Sequence, residues 1–97
     1  MVGPITNLMT HGEISRAIGL RIRARRKFSK LSRQELAARS GVSVPTIARL
    51  ELKGVSTLSV LIKLAQALNA LDTLNQLFEV SSYSSMDEFL SSTERMK

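Results

Sequence analysis

The stretch that most constrains this chain runs from Leu31 to Gly54, LSRQELAARSGVSVPTIARLELKG. Its pattern predicts two short helices joined by a tight turn. Ser32 and Glu35 stand three apart, the spacing of a capping box that satisfies the free N–H groups at a helix start. Leu36 and Ala37 give that helix a narrow apolar face, and Gly41 offers the left-handed backbone that ends it. Val42 anchors the turn, Ser43 caps the second helix, and Pro45 falls in its first turn, where a missing N–H costs little. Ile47 and Leu50 face back toward the first helix, while Thr46, Arg49 and Lys53 lie on other faces. Two helices this short bury little apolar surface alone, so a small shared core must fix their angle. That is the construction of a helix-turn-helix, whose second helix is free to enter a major groove.

Composition narrows what such a motif can serve. A chain of 97 residues argues for one domain with a core near the lower limit of independent stability. Hydrophobic residues make up 43%, enough for a globular fold. Cysteine is absent, which removes disulfides, thiolate metal sites and a thiol nucleophile. His11 is the only histidine, and no catalytic or zinc constellation can be assembled around it. No metal and no cofactor are expected, and an enzyme is the weakest reading. No apolar run is long enough to cross a membrane, and no signal-peptide core opens the chain, so a cytoplasmic location is expected.

The charge is divided along the chain. Residues 1–53 hold eleven Lys/Arg against three Asp/Glu, a net of +8, whereas residues 54–97 hold three against five, a net of −2. The basic half contains the helix-turn-helix, which is the charge footprint of a nucleic-acid binder.

Leu31, Ser32, Glu35, Leu36, Ala37, Gly41, Val42, Ser43, Thr46, Ile47, Arg49, Glu51 and Gly54 together resemble the phage-repressor-like helix-turn-helix family, described as Cro-like or XRE-type. Ile22-Arg23 and Arg26-Lys27 extend the resemblance upstream, and Leu61 to Ala65 with Ala67-Leu68 extend it downstream. It covers roughly residues 18 to 69. The fold it implies is all-α, a five-helix lambda-repressor-like domain, to which this chain adds a short C-terminal helix.

Around that centre, residues 1–9 read as a flexible arm without Lys or Arg, residues 10–79 as the domain, and residues 80–97 as a linker with a short helix. Thr10 and Glu13 form another capping-box pair, starting a helix from about His11 to Ser29 whose buried stripe is Ile14, Ile18 and Ile22. Ser56 or Thr57 caps a fourth helix ending near Asn69, with Leu58, Leu61, Ile62, Leu64, Ala65 and Leu68 covering most of its surface. Leu71 to Phe78 should form a fifth. Its surplus of large apolar side chains, Leu74, Leu77 and Phe78, together with Phe89 beyond it, points to a dimer seam. Ser85 and Glu88 repeat the cap spacing before Met86, Phe89 and Leu90, the pattern of a short amphipathic helix.

The resemblance implies roles. Arg26 pairs with Glu51 and locks the first helix to the third. Val44, Pro45, Thr46 and Arg49 face DNA bases, with Arg49 matched to guanine O6 and N7. Arg33 and Ser43 meet phosphates, joined by Arg23, Arg25, Lys53, Thr57 and Ser59. The expected function is sequence-specific binding of double-stranded DNA by a homodimer that represses transcription from an inverted repeat. The alternative is an antitoxin that autoregulates through this domain and holds a toxin through its acidic, apolar-patterned tail, Met86 to Glu94. A transcription-bridging module that binds proteins through the same fold is a further alternative.

Overall fold

The computed structural model describes residues 3–80. Among these residues the chain is all-helical, in five helices. α1 spans His11–Phe28, α2 Arg33–Ser40, α3 Val44–Lys53, α4 Leu58–Ala67 and α5 Leu71–Asn75.

Local chemistry starts and stops these helices. The two expected capping boxes within the described residues form. Thr10 Oγ1 accepts from the Glu13 N–H at 3.1 Å while Glu13 accepts from the Thr10 N–H at 2.9 Å. Ser32 and Glu35 do the same at 3.0 and 2.9 Å. Ser43 and Thr57 cap α3 and α4 with their hydroxyls. α2 and α3 end at Gly41 and Gly54, with φ of 76° and 69°. Asn69 takes φ 56° just past the end of α4, the glycine-like role its side chain tolerates.

The core lies between α2, α3 and α4. Leu36 and Ile47 are fully buried, and Leu31, Val42, Leu50, Leu64, Ala65, Leu68 and Ala70 close around them. Each such Leu or Ile contributes about 1.5–3 kcal/mol of apolar burial, which sets the angle between α2 and α3. α1 lies across α3, α2 packs on α4, and α5 closes against α4.

Three sequence expectations are corrected. In α1 the buried positions are Ala17, Gly19 and Arg26, whereas Ile18 is 39% exposed and Ile14 and Ile22 are half-buried. Small residues bring α1 up to α3 at backbone distance, and of the three isoleucines Ile22 packs on the core. In α4 only Leu64 and Ala65 are buried, with Leu68 at the cap, while Leu58 and Ile62 are 60% and 39% exposed. Among the described residues α4 packs against α2 and α5. α5 stops at Asn75, short of Phe78. Its N-cap, Ala70, has no side-chain hydrogen bond to offer, and Phe78 turns to φ 57°. The expected helix after Ser85 lies outside the described residues.

The N-terminal arm runs back along α1, where Arg21 donates to the Gly3 carbonyl at 3.3 Å. No helix among the described residues is long and apolar enough to cross a membrane.

Candidate nucleic-acid interface

α3 turns Ile47, Leu50 and Glu51 inward, so its opposite face is set by helical geometry. Pro45 and Arg49 occupy that outer face and are exposed, with Val44 and Thr46 half-buried on its flanks. The Ser43 and Thr46 hydroxyls lie 2.7 Å apart, and Ser43 Oγ accepts from the Thr46 N–H at 3.3 Å. This cap fixes the first turn that carries Val44 and Pro45. Leu52, three residues after Arg49, shares the outer face and is 59% exposed. The sequence analysis did not single it out; counting three from Arg49 finds it.

Glu51 anchors the other side of α3. Its carboxylate is 1% exposed and accepts from Arg26 Nε at 2.7 Å and Arg26 Nη2 at 2.9 Å, a bidentate pair. Arg26 Nη1 donates in turn to the Leu31 carbonyl at 2.9 Å. Arg33 adds a third bond to Glu51, Nε to Oε1 at 3.1 Å. Burial alone pushes the Glu51 carboxyl up, but the hydrogen bonds from Arg26 and Arg33 outweigh it and hold the group below its ordinary range. The Arg26 guanidinium is raised by its bond to Glu51. One carboxylate thus ties α1, the start of α2 and α3 together.

Beside this cluster opens a cleft of about 420 Å³ lined by Arg23, Arg26, Ser32, Arg33, Gln34 and Val44. It brings two expected phosphate contacts, Arg23 and Arg33, next to the first residue of α3. Arg23 Nε is buried there and has no partner among the described residues. Arg33 gives its Nε to Glu51 and lines the cleft. Gln34, exposed in the first turn of α2, was not anticipated from the sequence.

The remaining expected contacts separate. Lys53 lies in a second cleft of about 450 Å³, with His11, Gly12, Ser15, Gly54, Val55 and Ser56. Thr57 and Ser59 are exposed at the start of α4, where Thr57 Oγ1 accepts from the Val60 N–H at 3.2 Å. Arg25 turns elsewhere: it donates to the Asn69 carbonyl at 3.4 Å and lies 3.7 Å from Asp72, at the junction of α4 and α5. Of the expected dimer residues, Leu74 packs on the core, Leu77 and Phe78 are 57% and 95% exposed, and Phe89 lies outside the described residues. No group of three or more His, Cys, Asp or Glu side chains that could hold a metal occurs among the described residues.

A family model described as helix-turn-helix matches residues 22–74, more than half of the 97-residue chain. No curated protein matches it. The matched span holds the capped α2, the glycine turn, α3 and the clamp on Glu51. The chain therefore belongs to the XRE-type, Cro-like helix-turn-helix family of DNA-binding transcription regulators.

Proposed function

We propose that the protein represses transcription as a homodimer, each copy laying α3 in the major groove of one half of an inverted repeat. The observation that carries this reading is the exposed face of α3, Pro45 and Arg49 opposite a buried Glu51, beside a cleft that three arginines line. Arg49 reads guanine through its fork, while Val44, Pro45 and the Thr46 methyl pack on thymine methyls or sugar. Arg23, Arg33, Ser43, Lys53, Thr57 and Ser59 meet backbone phosphates, which set register and carry no sequence information. Leu77 and Phe78 are exposed on the segment that follows α5, where they serve the seam between copies. Occupying a promoter blocks polymerase without any reacting group, so no catalytic residue is required.

Arg49 and Arg33 separate the two kinds of contact. Arg49→Ala should lower operator affinity by about 1–3 kcal/mol and shrink its advantage over random DNA. Arg33→Ala should weaken both DNAs alike and flatten the salt dependence by about one unit. Titration of each variant against both DNAs at several salt concentrations tests the assignment. An unchanged specificity ratio in Arg49→Ala would remove Arg49 as the base reader. The antitoxin reading rests on a tail outside the described residues; a stoichiometric partner released on deleting residues 81–97 would favour it.

A further inference from the structure

α1 is 18 residues long, but the family match begins at Ile22, so the helix from His11 to Arg21 precedes it. This leading half is packed against the recognition helix at backbone distance. A Cβ on Gly19 would run into the Leu50 carbonyl and stand 3.1 Å from that of Glu51. A Cβ on Gly54, the cap that ends α3, would overlap the Ser15 carbonyl. Ala17 is buried in the same stretch. Two turns further along, about 10 Å at 1.5 Å per residue, Arg26 grips Glu51. The C-terminal end of α3 is therefore met by α1 at two separated places, Leu50–Glu51 against Gly19 and Arg26, and Gly54 against Ser15. One contact lets a short helix pivot; two separated contacts fix its tilt.

We infer that the leading half of α1 is a positioning element for base recognition, with Gly19 and Gly54 as positioning residues that set the angle at which α3 presents Arg49. The inference rests on the DNA reading above. No side chain can be accommodated at Gly19 unless α1 lifts from α3, so a single methyl there changes the tilt without substituting any DNA-facing residue. Base contacts depend on that angle, because a bidentate fork must lie in the plane of its base. Phosphate contacts depend on it less.

The experiment takes the full chain and the duplex that it enriches from a random-sequence pool, against a scrambled duplex of equal length. Gly19→Ala is compared with Leu68→Ala, a core change at the far end of α4, at a temperature where both are folded. Gly19→Ala should lower the enriched-to-scrambled affinity ratio about fivefold or more, the size of one lost base contact, while Leu68→Ala keeps it. A ratio that Gly19→Ala leaves unchanged, or that Leu68→Ala lowers as much, overturns the inference and leaves the DNA reading standing. Failure of the wild type to enrich any duplex overturns both. Hydrogen exchange on the wild type decides the case in which Gly19→Ala does not fold. Amides of Ser15 to Gly19 should then exchange as slowly as those of Ile47 to Glu51; exchange as fast as a frayed helix end overturns the inference.

Discussion

A carboxylate as deeply buried as Glu51 stays charged only where cations and donors replace water, and Arg26 and Arg33 supply three bonds between them. Removing the charge while keeping the shape, Glu51→Gln, leaves Arg26 buried beside a weak acceptor. The expected loss is about 3–5 kcal/mol, a large part of a small domain's stability. Thermal melting checks it; a Tm equal to the wild type would show the cluster to be dispensable. The same residue sets a pH dependence. Its folded pKa lies below the ordinary value of 4.5, so its contribution is complete above that pH and is lost as pH falls through the folded value. Wild-type Tm should therefore drop more steeply below about pH 4.5 than that of Glu51→Gln. Parallel curves would assign acid unfolding to other groups. Arg33 belongs to both the cluster and the cleft, and its side chain is 30% exposed. Arg33→Ala should accordingly cost about 1 kcal/mol of stability besides its effect on DNA.

At the scale of elements, the helices answer to short-range chemistry, and this is what the sequence makes legible. The boxes at Thr10–Glu13 and Ser32–Glu35, the turn at Gly41 and the cap at Ser43 each depend on residues within four positions of one another. Periodicity located the apolar faces but not what covers them. Ile18, Leu58 and Ile62 belong to regular stripes and are still exposed, because burial depends on a partner that the stripe does not name. The Arg26–Glu51 lock between α1 and α3 was legible, but the backbone approach beside it was not, since Gly19 and Ser15 carry no hydrophobic signal. Arg25 illustrates the same limit among the cations: charge and position placed it in the phosphate set, while its reach carries it to Asn69 and Asp72. The segment after α5 offers a separable prediction. Leu77 and Phe78 are exposed, so Leu77→Ser with Phe78→Ser should weaken self-association with little change in Tm. Sedimentation that finds the double variant as dimeric as the wild type would move the seam elsewhere.

For the whole molecule, the division of charge and the division of structure coincide. α1, α2 and α3 belong to the half with a net of +8, and they hold the α3 face, the Arg23–Arg33 cleft and the Glu51 cluster. α4 and α5 belong to the half with a net of −2; they close the core, and exposed Leu77 and Phe78 follow them. A chain so polarised approaches a polyanion with its reading face forward, and its affinity should fall linearly on a log–log plot against salt. Selection from a pool of random duplexes decides whether a pair of α3 helices reads DNA sequence. An inverted repeat should be enriched, its half-sites about one helical turn, ~34 Å, apart, as two copies of α3 in successive major grooves require. Recovery of no motif, with binding indifferent to sequence at every salt concentration, would contradict the DNA reading.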